Sequence, residues 1–180
     1  MRRMRRQRLL PLAVATLALT GGALLVAGAS SPAAPSRSQA LFRKTLLDDP
    51  RTTESVKALL RDRGGFVAPE IEFADVTRDG RADAVVLVDS GGIAGAVALY
   101  VLSTDGARAD APLRAVFRAQ RLYRAAVQVS GDTLTLRTPR FSRGDDVCCP
   151  ARMTERVYVW SAAAKTLVRR RMQTVAGPAS

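Results

Sequence analysis

Apolar and polar residues change rhythm twice along this chain. From Leu9 to Ala27 the run is apolar and uncharged, rich in Leu, Ala and Val. From Gln39 to Leu47 a short helix is predicted, with Leu41, Phe42, Leu46 and Leu47 as its apolar side. Asp48-Asp49-Pro50 stops it, because proline disfavours helical geometry in the residue before it. A second helix is predicted from Thr53 to Arg63. Val56, Leu59 and Leu60 repeat at helical spacing, Thr52 or Thr53 supplies a cap, Glu54 sits in the first turn, and Gly64-Gly65 ends it.

Beyond Gly65 the period becomes two. Glu70 to Ala74 alternates, with Ile71 and Phe73 on one side. Ala84 to Val88 and Ala96 to Leu102 read as central strands, joined through the glycine-rich stretch Gly91 to Gly95. Leu113 to Ala119 alternates with Arg114 and Arg118 facing out. Tyr123 to Val129 and Thr133 to Arg137 flank the hairpin signal Ser130-Gly131-Asp132. Arg156 to Trp160 and Leu167 to Thr174 form a last pair. The predicted fold is α+β: short N-terminal helices followed by an antiparallel β-meander of about seven strands. At a spacing of ~10 residues these strands would bend into a curved sheet or a partial barrel.

The apolar opening is more than a hydrophobic run. Arginines at 2, 3, 5, 6 and 8 precede it, and Ala27-Gly28-Ala29 closes it with small residues. A basic head, an apolar middle and a small-x-small exit make a secretory signal over residues 1–29. The run is near the ~20 residues that span a bilayer, so an uncleaved helical anchor is the alternative. Pro11, Gly21, Gly22 and Gly28 interrupt such a helix and favour release. No cysteine precedes Cys148, so a lipid-modified anchor is not expected. Residues 30–38 (Ser-Ser-Pro-Ala-Ala-Pro-Ser-Arg-Ser) read as a tether, 39–176 as one α+β domain and 177–180 as a tail.

Composition then narrows the chemistry. The formal charge is +12; five of these charges are the head arginines, and no acid precedes Asp48, which leaves +7 on the exported part. Such a domain is drawn to anionic cell-wall or membrane surfaces. Nucleic acid is not expected, given the compartment and few aromatics for base stacking. Histidine is absent from the chain. That excludes Ser-His-Asp and Cys-His catalysis, so Asp89-Ser90-Gly91-Gly92 is no nucleophile loop. No catalytic residue is singled out, and a non-enzymatic role is expected.

Three constellations remain. Asp75, Thr77, Asp79 and Asp83 fall at positions 1, 3, 5 and 9 of a loop with Gly80 at 6, the spacing with which calcium loops turn alternate side chains inward. Arg78 and Arg81 in the loop weaken a cation's attraction, and the competing reading is a tight turn in which the aspartates cap backbone N–H groups. The loop resembles the aspartate loops of FG-GAP/VCBS-type extracellular repeats over nine residues in one copy. Cys148-Cys149-Pro150 holds both cysteines of the chain. In an oxidising compartment they close a vicinal ring, cross-link to another molecule or stay as thiols. The ring would tie the loop or act as a reducible, redox-responsive element. Tyr158 and Trp160 share one strand face and are expected to pack in the core.

Taken together, Asp79 to Val86, Gly144 to Pro150 and Arg156, Tyr158, Trp160 are similar in layout to small exported actinobacterial domains of the LppP/LprE-type envelope lipoproteins. The resemblance implies envelope location and a small sheet-rich fold rather than an activity. This chain departs from it in lacking a lipidated cysteine. The function expected is that of an exported envelope or extracellular binding or structural domain, with redox response through Cys148-Cys149 or calcium-dependent binding as alternatives.

Overall fold

The computed structural model describes residues 36–104 and 111–177. The signal and residues 30–35 of the tether lie outside them. The first helix, α1 (Arg37–Asp48), starts two residues earlier than its apolar pattern, so Arg37 and Ser38 belong to the domain rather than the tether. The cause is a capping box: the Ser36 hydroxyl accepts from the Gln39 N–H, and the Gln39 side chain accepts from the Ser36 N–H. Helix α2 (Glu54–Asp62) follows. Thr53 holds its N-cap position without a side-chain cap; its N–H and hydroxyl both donate to Gln120 Oε1, at 2.8 and 2.9 Å. Tyr100, fully buried, donates to the same oxygen. One glutamine thus fastens the entry of α2 to the sheet beneath it. Arg43 donates to the Leu60 carbonyl through Nε and Nη2, satisfying an acceptor that the end of α2 leaves open.

Among the described residues nine strands follow, not about seven; they form two sheets rather than one curved meander, and no barrel closes. The first sheet has the order β1 (Phe66–Val67), β3 (Asp83–Asp89), β4 (Ala96–Thr104), β5 (Leu113–Gln120), and β2 (Glu72–Ala74) also pairs with β3. The second runs β6 (Ala126–Ser130), β7 (Thr133–Arg140), β8 (Arg152–Ser161), β9 (Thr166–Ala176). All pairings are antiparallel. The break lies between β5 and β6, where the sequence shows an alternating strand from Tyr123. Arg121 and Arg124 take left-handed backbone angles, φ 59° and 45°, and the Leu122, Arg124 and Ala125 N–H groups bond back to carbonyls of 94–97. The chain is turned out of the first sheet before it can begin the second.

Alternation within the first sheet feeds two cores. Ala84, Val86, Val88, Ala98, Tyr100 and Leu102 face the helices and meet Phe42, Leu46, Val56 and Leu60. Val85, Leu99, Val101, Val116 and Phe117 face the second sheet and meet Leu134, Leu136 and Leu167. The order is helices, sheet, sheet. Glycine is needed where two loops touch: Gly91 has φ +72°, and a Cβ there would lie 2.6 Å from the Gly64 carbonyl oxygen. Among the described residues no helix is long and apolar enough to cross a membrane.

Candidate arginine face of the second sheet

Residues directly opposite each other in an antiparallel ladder share a face, and the register of β7, β8 and β9 lays out a grid. Leu134 stands opposite Tyr158, and Tyr158 opposite Arg169. The next row is Leu136, Arg156, Met172. Then come Thr138, Thr154, Thr174, and last Arg140, Arg152, Ala176. The face begins as core, since Leu134 and Leu136 are at most 1 % exposed and Tyr158 packs on Phe117 with ring centroids 4.9 Å apart. Burial fades from row to row: Thr138 is still buried, Thr154 is half-buried, and Arg140 and Arg152 are exposed.

Beyond the leucines the grid therefore carries a row of threonines between arginines. The Arg156 Nη1 donates to Thr138 Oγ1 at 3.2 Å, and the Arg140 Nη1 to Thr174 Oγ1 at 3.3 Å. Arg169 reaches the Met172 sulfur, at 3.6 Å. None of these four arginines has a carboxylate partner among the described residues. Arg140 and Arg152 are a like-charge pair placed directly opposite, an arrangement that costs stability in a sheet.

The other face of the same strands carries a carboxylate. Glu155, buried there, accepts from Arg137 Nε at 2.9 Å and from Gln173 at 2.8 Å, with Arg171 at 3.6 Å. The Arg137 hydrogen bond, followed by that of Gln173, holds the Glu155 carboxyl below the usual glutamate range. A lowered folded-state pKa contributes stability that is complete above the unfolded value, about 4.3, and is lost as pH falls through the folded one. Glu155→Gln is therefore expected to flatten the acid limb of the stability curve. Thermal melts from pH 7 down to about 3 check this; a variant whose melting temperature falls as steeply as the parent's would remove the assignment.

The loop singled out for calcium is closed by its own carboxylates. Asp75 accepts from the Asp79 N–H at 3.0 Å and from the Gly80 N–H at 2.9 Å, and Asp79 accepts from the Arg81 N–H at 3.0 Å. Asp83, 1 % exposed, accepts from the Thr77 N–H at 2.8 Å and the Thr77 hydroxyl at 3.3 Å. Burial raises its pKa against the opposing hydrogen bonds of Ser103 and Thr77. Asp75 and Asp83 thus attend to two different halves of the loop. Arg78, with φ 59°, turns outward to pair with Asp132 in the β6–β7 turn, fastening the loop to the second sheet. Among the described residues no group of three or more Asp, Glu, Cys or His is gathered to hold a metal ion.

Cys148 and Cys149 form a vicinal disulfide in the loop 141–151 between β7 and β8. Arg124 donates to the Val147 carbonyl, and Gly177 N–H to the Ala151 carbonyl at 2.9 Å. The loop leaves Arg140 and returns at Arg152, so it closes on the like-charge pair. Tyr158 and Trp160 pack against the core between the sheets.

The arginine face was not apparent from sequence. Thr138-x-Arg140 and Arg152-x-Thr154-x-Arg156 alternate as strands do, yet only the β7–β8–β9 register puts them in one grid. Comparison with protein-family models, with curated proteins and with solved structures finds no match.

Proposed function

We propose that this is an exported, non-enzymatic binding domain that attaches to an anionic surface of the cell envelope through the arginine face of its second sheet. The observation that carries the proposal is the grid of Arg140, Arg152, Arg156 and Arg169, which lacks a carboxylate among the described residues, whereas the arginines of the opposite face pair with Glu155. Arginine forks suit oxyanions, and each cation near an anionic membrane surface contributes about 1 kcal/mol. The basic, apolar, small-residue order of residues 1–29 supports delivery to that compartment. The test is co-sedimentation with vesicles of phosphatidylglycerol and phosphatidylcholine. Retention is expected at ~20 mM salt and release by ~300 mM, as screening shortens the reach of the charges. No retention at the low salt would overturn the proposal.

A second reading is favoured by one observation: the vicinal disulfide sits in the loop that closes on Arg140 and Arg152. Reduction by an external dithiol, which is itself oxidised to a disulfide as Cys148 and Cys149 become thiols, would free that loop and make the domain redox-responsive. Thiol counting on freshly secreted protein decides this. Two free thiols there would end the reading; none before reductant and two after it would support it.

A further inference from the structure

Resting on the anionic-surface reading, we propose that Arg140, Arg152, Thr154 and Thr174 form a discrete subsite for one phosphate group. The Arg140 side chain rises from β7 and bonds to Thr174 on β9, so it crosses the whole width of β8. Its guanidinium is thereby laid over the middle strand, where Arg152 and Thr154 stand on the same face. The hydrogen bond to Thr174 holds this guanidinium across the strand that carries Arg152, whose Cβ lies about 5 Å from that of Arg140. An open hollow of about 410 Å³ adjoins this point, lined in part by Arg152, Thr174 and Ala176.

The donor set selects among anions. Two guanidiniums offer forks from two strands, and the Thr174 oxygen accepts from Arg140, which leaves its own proton available to donate. Thr154 stands on the same face in the neighbouring row, opposite Thr174. A carboxylate has two oxygens in one plane and fills one fork. A phosphate spreads its oxygens tetrahedrally and can meet both forks and a hydroxyl together. The shared chemistry is a phosphate group, whether carried as a phosphodiester headgroup or free in solution.

Three arms test this on the full exported domain. In the first, vesicles are made equally anionic with phosphatidylglycerol or with oleate. Phosphatidylglycerol should be bound about tenfold more tightly, as one extra charge-assisted pair would give; equal affinity overturns the subsite. In the second, inorganic phosphate is titrated against acetate at matched ionic strength while the arginine Nε–Hε resonances are followed. Those of Arg140 and Arg152 should move together with phosphate, whereas acetate should move at most one of them; uniform movement of all exposed arginines overturns it. In the third, Arg140→Lys with Arg152→Lys keeps the charge and removes the forks. This variant should still sediment with anionic vesicles but lose the preference for phosphate over carboxylate; a preserved preference overturns the subsite. Vesicle binding without phosphate preference would leave the broader surface reading standing and remove the subsite alone, whereas absence of vesicle binding would remove both.

Discussion

Replacing Asp83 with alanine is expected to lower the free energy of unfolding by about 3 kcal/mol at neutral pH. Asp83 is almost fully buried at the start of the central strand β3. Its carboxylate receives the buried Thr77 N–H and the Thr77 hydroxyl, and Ser103 on the neighbouring strand β4 also bonds to it. Alanine leaves the two Thr77 donors without their acceptor in a dry site, and an unpaired buried donor costs about 1–3 kcal/mol. Asparagine keeps an acceptor for the Thr77 N–H and avoids burying a charge, so Asp83→Asn should cost less than half as much. The raised pKa gives the same sign: the ionised form is disfavoured in the fold, so stability contributed by this group declines as pH rises past its unfolded value. Urea denaturation reads both variants as shifts of midpoint at constant slope. A loss below about 1 kcal/mol for the alanine variant would show that Asp83 does not close the loop.

The helices, both central strands and both later hairpins were legible because each has a local cause. Leu41, Phe42, Leu46 and Leu47 repeat at helical spacing, and Val85 and Val86 sit in an unbroken apolar run that only a strand buried on both faces requires. The split into two sheets was hidden because it depends on left-handed backbone at Arg121 and Arg124, residues with no intrinsic preference for it. The Asp75–Asp83 loop kept its two readings for a similar reason. The same alternating oxygens serve a cation or the backbone, and here Asp75 reaches the Asp79 and Gly80 amides while Asp83 turns into the core toward Thr77. Gln120 gave no sign of its part in holding α2, since its contacts with Thr53 and Arg51 span more than sixty residues of sequence. The arginine face failed to show because its members lie on three strands, and only strand register brings Arg140 against Arg152.

The most direct measurement of the central claim compares two double variants of equal net charge on phosphatidylglycerol vesicles. One is Arg140→Glu with Arg152→Glu. The other is Arg37→Glu with Arg63→Glu, both exposed, at the start of α1 and just past α2, on the helix layer that covers the opposite face of the first sheet. Each reverses two charges, and none of the four arginines has an ion-pair partner among the described residues. At about 1 kcal/mol for each charge near an anionic surface, the sheet variant should bind at least about 100-fold more weakly than the parent. The helix variant should stay within about fivefold, because its charges are carried by the helix layer and not by the second sheet. Equal weakening of both would mean that net charge alone holds the protein to the surface, and would contradict a binding face on the second sheet.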